Sequence, residues 1–313
     1  MEAPAPKPYI LPPDAVWFIT GCSSGIGEAL AQHVATKTPS NRVVATARNP
    51  AALSSIPDGP RVLKLALDVT SEAAIGAAFD AALARFGRVD VVINNAGYAV
   101  MGDAEASGPG DPEGRELLDT NFWGAVDVTK RALGVMRDAN ARGGRGRGGV
   151  IINVSSMGGF FGSPGSAFYH ASKFALEGFA EAVAKELDPA WNIHVCNAEP
   201  GGVRTRYAAS ARRLEPRHPA YAADAALGTN RMLAFLGDPS RHDVFAAAPE
   251  VAAAIYQVAA AGRRIPIRVP LGLDAWGAVA AELDRVRADL DEFKELSCGM
   301  GRQTADDVAK LIG

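Results

Sequence analysis

Compact apolar runs recur along the first two thirds of the chain, at residues 16–20, 42–47, 61–67, 89–94, 150–154 and 193–198. Between them lie stretches in which apolar residues return every three or four positions, as in Ile75, Ala78, Phe79, Ala82, Leu83 and Phe86. The first pattern is that of strands buried on both faces, the second that of helices with one apolar side. Their alternation predicts an α/β fold with a doubly wound parallel sheet of the Rossmann kind, built as a single domain with a C-terminal helical extension. Residues 107–114 and 143–149, rich in Gly, Pro, Asp or Arg, read as surface connections. A proline-rich arm occupies 1–14 and the dinucleotide-binding and catalytic core 15–202. From 203 to 313 the rhythm loosens into a substrate lid, a last strand near 265–269 and helices of the same domain. The stretch 275–296 has helical spacing with mixed charges, which suits an amphipathic helix packed on the body or on a second subunit.

Composition narrows the classes. At 313 residues and 48% hydrophobic content the chain can bury one large core with a modest extra lobe. The formal net charge of −3 and a single short basic run, Arg142, Arg145 and Arg147, point away from nucleic acid. Cys22, Cys196 and Cys298 have neither metal-ligand spacing nor the number for a disulfide framework, so the expectation is a reducing, cytoplasmic protein without a metal. No apolar run is long enough to span a membrane, and residues 1–6 do not read as a targeting segment.

Thr20-Gly21-Cys22-Ser23-Ser24-Gly25-Ile26-Gly27 follows the first strand and opens a helix. Glycines there permit a tight turn and close backbone approach to a pyrophosphate, and the helix N-terminus offers N–H groups to an anion. Gly21, Ser23, Ser24, Gly25, Ile26 and Gly27 are therefore candidate nucleotide contacts, with Cys22 a small packed side chain. The second strand ends at Ala45-Thr46-Ala47-Arg48 without the carboxylate that would take a ribose 2′-hydroxyl. Arg48 instead offers a planar cation for a 2′-phosphate, favouring NADP(H); the alternative is a solvated strand-end charge. Asp68 and Val69, ending the third strand, are candidates to meet the adenine.

Tyr169 and Lys173 stand four apart and so on one helix face. A nearby ammonium lowers the pKa of a phenol and makes Tyr169 a plausible general acid/base. Ser156 lies thirteen residues earlier, and that offset selects it over the adjacent Ser155. His170 points off the Tyr169–Lys173 face and reads as a passenger.

With residues 20–27, Asn94-Asn95-Ala96-Gly97, Ser156, Tyr169-x-x-x-Lys173 and Pro200-Gly201-Gly202-Val203-Arg204-Thr205 in this order, the chain resembles a short-chain dehydrogenase/reductase of the simple oxidoreductase branch. The long C-terminus with Pro266, Pro270, Gly272, Asp274 and Ala275 is similar to 17β-hydroxysteroid-dehydrogenase-like members. The resemblance implies that Asn121 holds a proton-relay water, Ser156 polarises the substrate oxygen, Tyr169 exchanges the proton, and Lys173 binds the nicotinamide ribose and lowers the tyrosine pKa. It further implies that Asn94, Ala96 and Gly97 line the adenosine and its ribose, and that Pro200, Gly201, Val203 and Thr205 hold the nicotinamide amide.

The expected activity is an NADP(H)-dependent interconversion of a ketone or aldehyde with an alcohol, on a small apolar substrate, by a homodimer or homotetramer joined through helices near 113–139 and 168–187. Phe160, Phe161, Tyr207 and Phe245 are candidates to line the pocket. Two alternatives stand beside it: a ketoacyl-type reductase whose carrier would dock on Arg204, Arg206, Arg212 and Arg213, and a non-catalytic NADP(H)-binding sensor.

Overall fold

The structure, a computed structural model, describes residues 8–37, 40–106, 112–142, 148–205, 211–301 and 304–312. Seven strands form one sheet: β1 (Val16–Ile19), β2 (Arg42–Ala47), β3 (Val62–Ala66), β4 (Val91–Asn94), β5 (Gly149–Val154), β6 (Ile193–Pro200) and β7 (Arg268–Leu271). Their order is β3-β2-β1-β4-β5-β6-β7 and every pair is parallel. The chain winds outward from β1 to β3 and then returns to β4. The switch point beside β1 is where an open α/β sheet presents its ligand crevice.

Along β1, Trp17 and Ile19 point to one face, Phe18 and Val16 to the other, and all four are fully buried. Helix α1 (Gly25–Lys37) brings Leu30, Ala31 and Val34 to the first face. Helix α2 (Glu72–Phe86) brings Ile75, Ala78, Phe79 and Ala82 to the second, where Phe79 stacks on Phe18 at 4.3 Å. Burying one such ring contributes about 1.5–3 kcal/mol. Ser71 caps α2 by accepting the N–H of Ala74 at 3.3 Å, and Gly87, with φ 79°, ends it in the left-handed region.

One long helical run covers the second face farther along. It comprises α3 (Pro112–Leu118), a π turn at Asp119–Trp123 and α4 (Gly124–Gly134), followed by a second π turn. Helix α5 (Ala167–Glu186) follows β5, and α6 (Gly228–Gly237) lies between β6 and β7 in the chain. Helix α7 (Ala248–Ala260) packs on α1 through Val251, Ala252, Ile255 and Ala259. The last strand begins three residues later than the apolar run suggested. It occupies the sheet edge, where Pro270 removes no inner ladder bond. Helix α8 (Leu273–Glu292) leaves directly from its end.

Candidate active site

The glycine turn is built by side chains that exclude other side chains. Gly21 (φ 72°) and Gly25 (φ 64°) sit in the left-handed region, and a Cβ on Gly21 would lie 2.8 Å from the Cα of Ala96. A Cβ on Gly27 would overlap the Asn95 amide and the Gly21 carbonyl. Asn95 fixes this approach: its Nδ2 donates to the carbonyls of Thr20 (2.9 Å) and Gly21 (3.0 Å), while Thr20 Oγ1 accepts the N–H groups of Asn95 and Ala96. Ser23 and Ser24 complete the turn, and Ile26 packs toward the core from the first turn of α1. Cys22 is fully buried, and burial pushes its thiol up to about 12.

Arg48 is exposed at the end of β2. The Asp68 carboxylate, held below its ordinary pKa by the N–H and hydroxyl of Thr70, also feels the Arg48 charge. Val69 beside it is buried. These residues, beside the glycine turn, fit the adenosine half of a dinucleotide.

On the other side of β1 the construction is polar. Asn94, Asn153, Asn197 and Arg268 are register partners on β4, β5, β6 and β7, and so face the same way in one row. Asn94 Nδ2 donates to Asn153 Oδ1 at 2.8 Å, Asn153 Nδ2 to Asn197 Oδ1 at 2.9 Å, and Asn197 Nδ2 to Glu177 Oε2 at 2.6 Å. Arg268 Nε donates to the same Glu177 oxygen at 3.1 Å. The Asn94 Nδ2 is therefore used inside the sheet, while its buried Oδ1 finds no hydrogen-bond partner among the described residues. Glu177 is 2% exposed, and burial raises its pKa. Glu199, 1% exposed on β6, is pushed up to about 7 by burial and by Glu177, with Arg268 opposing.

Lys173 stands one turn before Glu177 on α5 and is 7% exposed. Its Nζ donates to the Val154 carbonyl at 2.7 Å and lies 5.7 Å from the Tyr169 ring centroid. Burial lowers its pKa to about 8, and the Glu177 charge works against that fall. Tyr169 is half-buried against a cluster containing Val100, Leu117, Phe168 and Leu214. Ser156 leaves the end of β5 extended and caps a short turn, its Oγ accepting the Gly158 N–H at 3.0 Å. Ser155 is buried and turned toward Glu177.

Asn121 sits in the first π turn and locks to the Tyr98 backbone. Its Oδ1 accepts the Tyr98 N–H at 3.0 Å and its Nδ2 donates to the Tyr98 carbonyl at 2.9 Å. The same Nδ2 reaches Ser172 Oγ at 3.2 Å, which in turn donates to the Tyr169 carbonyl at 2.7 Å. Asn121 is thus joined to the Tyr169 backbone through Ser172.

His170 is no passenger. Its Nε2 accepts the Ser163 N–H at 3.1 Å, which leaves Nδ1 to donate to the Gly158 carbonyl at 2.8 Å. The neutral ring, its pKa lowered first by burial, pins the loop that follows Ser156. Its signal was its place beside Tyr169, on the helix flank facing that loop.

The Pro200–Thr205 loop is held from a distance. Asp274, in the first turn of α8, accepts the Gly202 N–H at 2.6 Å, and any Cβ on Gly201 would overlap its carboxylate. Val203 pairs with Ala246, and Thr205 lies over Gly25, closing the two ends of the crevice toward each other. Phe245 packs on Gly202 and meets Phe235 at 6.2 Å, while Phe161 stands 6.4 Å from His170 and Phe160 is half-buried beside it. Tyr207 and Arg206 lie outside the described residues. Arg212 is paired with Glu116 at 2.5 Å and lies over the Tyr98 ring at 4.7 Å, and Arg213 reaches the Met101 sulfur at 3.9 Å.

A sequence model described as short chain dehydrogenase matches residues 15–216. The oxidoreductase calM of Penicillium decumbens is 43% identical over 295 residues, covering 93% of this chain and 94% of its own. A short-chain dehydrogenase from Streptomyces avermitilis superposes with TM-score 0.75 at 34% identity, over 91% of this chain and 99% of that one. The 3-ketoacyl-(acyl-carrier-protein) reductase of Brucella melitensis, solved with NADH, has TM-score 0.66 at 26% identity over 85% of this chain and 98% of its own. The chain belongs to the short-chain dehydrogenase family and is an oxidoreductase of that family. Among the described residues no helix is long and apolar enough to cross a membrane.

Proposed function

We propose that this protein is an NADP(H)-dependent oxidoreductase that interconverts a ketone or aldehyde with an alcohol. The observation that carries the reading is the buried Lys173 ammonium, fixed on the Val154 carbonyl at the C-terminal end of β5 and set 5.7 Å from the Tyr169 ring. A bound nicotinamide supplies the hydride. Tyr169 gives its phenolic proton to the developing alkoxide, or takes it back in the oxidation. Lys173 stabilises the phenolate, Ser156 orients the substrate oxygen, and Asn121 positions the water that returns the proton. The glycine turn and the α1 N-terminus take the pyrophosphate, and Asp68 and Val69 the adenine. Arg48 takes the 2′-phosphate, Ala96 and Gly97 the adenosine, and Pro200, Gly201, Val203 and Thr205 the nicotinamide end.

The ketoacyl-carrier reading loses support from Arg212, whose charge is already matched by Glu116. The test is NADPH oxidation followed at the nicotinamide absorbance across apolar ketones and aldehydes, with Tyr169→Phe alongside. The variant should keep nucleotide affinity and lose about 10²–10⁴-fold in turnover. Undiminished turnover removes Tyr169 from the mechanism, and nucleotide binding without turnover on any carbonyl leaves the sensor reading.

A further inference from the structure

Helix α8 carries an apolar seam that its own chain does not cover. Only Ala275 is buried on it, and Ala278, Val279, Ala280 and Glu282 are half-buried where the helix leaves the body. From Leu283 through Met300 every residue is exposed. From the start of α8 into the turn after it, Trp276, Val279, Leu283, Val286, Leu290 and Phe293 follow one another at steps of three, four, three, four and three. That is the spacing of the a and d positions of a heptad. Trp276 is 68% exposed, Leu283 54%, Leu290 58% and Phe293 53%. A helix projecting free of its body gains little from propensity alone and depends on burying such a stripe.

The flanks of the seam say what covers it. Glu282 and Asp289 take the g positions, and Arg287 and Lys294 take the e positions. Each acid stands five residues before a base. In two parallel helices a g side chain meets the e side chain of the next heptad across the seam, so Asp289 faces Lys294 of the second copy, while Glu282, its side chain 19% exposed, stays turned to its own body and Arg285. In antiparallel helices g meets g and e meets e, which sets acid against acid and base against base. Arg287, Asp289 and Lys294 have no ion-pair partner among the described residues, while Glu282 holds Arg285 of its own chain at 2.9 Å. An anionic lipid surface fits poorly, since residues 282–295 carry six acidic side chains against three basic ones.

We propose that α8 and the turn after it pair in parallel with α8 of a second copy of this chain, forming a short two-stranded coiled coil. The pairing is separate from any face offered by α4 and α5, and it holds whether or not the proposed reaction is the right one.

Light scattering on the full-length protein tests it. The double variant Leu283→Asp/Leu290→Asp should halve the wild-type mass with far-UV circular dichroism close to that of the wild type. An unchanged mass, or a monomeric wild type, overturns the proposal. Two charge variants keep the test independent of that substitution. Lys294→Glu and Asp289→Lys should each lose self-association alone and regain the wild-type mass when mixed; failure of the mixture to associate overturns the pairing. Orientation is read from Leu290→Cys in a Cys298→Ser background, where Cys22 and Cys196 stay buried. Oxidation should link the two copies covalently, and no linkage overturns the parallel arrangement.

Discussion

The two halves of the crevice are made by opposite means. On the β1–β3 side the chain withholds side chains, so that Gly21, Gly25 and Gly27 bring backbone to the surface and Asn95 holds it there. On the β4–β7 side it buries polar side chains in register, ending on Glu177 beside Lys173. The first half therefore fails by addition and the second by subtraction. A methyl group can ruin one, whereas loss of a single charge or amide can ruin the other.

The largest expected break is Gly27→Val. Its Cβ has no room beside Asn95 and the Gly21 carbonyl, so the turn must open. We expect destabilisation of about 1–3 kcal/mol and loss of nucleotide binding, measured by thermal unfolding and cofactor titration. Next comes Arg48→Ala, which removes a charge from the rim without touching the turn. NADPH affinity should fall about 10–100-fold with NADH affinity nearly unchanged, the value of one or two charged hydrogen bonds. Equal loss for both cofactors would show that Arg48 does not read the 2′-phosphate.

The polar half predicts pH effects. Glu199 has a folded pKa of about 7, above its ordinary value of 4.5. It therefore favours folding fully below about pH 4.5, and that contribution is lost as pH rises through 7. Glu199→Gln should flatten the decline of denaturation free energy across this window by about 1–3 kcal/mol, leaving the smaller slope due to Glu177. The smallest effect is on the ammonium. Glu177→Gln removes the charge that holds the Lys173 pKa up at about 8 while keeping an acceptor for Asn197. The alkaline limb of kcat/KM should move to lower pH, and an unmoved limb would show that the carboxylate is only structural.

The sequence reveals the first half more readily than the second. Three glycines between a strand and a helix state their purpose locally, and the order β1–β6 follows from the apolar runs. The buried row is harder to see, because Asn153 and Asn197 are single polar residues inside apolar runs and meet only through strand register. Glu177 could have been found by extending the Tyr169–Lys173 spacing by another four residues along the same face. Asp274 offers no such hint, since it reaches Gly202 across 72 residues of chain. Arg268 depends on the register of β7, which begins later than its apolar run.

The π turn at Asp119–Trp123 has its own consequence. A π turn holds one more residue than an α turn, so the helical faces before and after it need not share one phase. Leu117 upstream and Val128 and Ala132 downstream are all fully buried, while Asn121 between them is angled onto the Tyr98 backbone and Ser172. Deleting one residue there would rotate everything beyond it by about 100°. The helix would have to give up either a buried stripe or the aim of Asn121. The extra residue thus works as a phase adjuster, letting one continuous helix serve the core at both ends and the Asn121 contacts to Tyr98 and Ser172 in the middle.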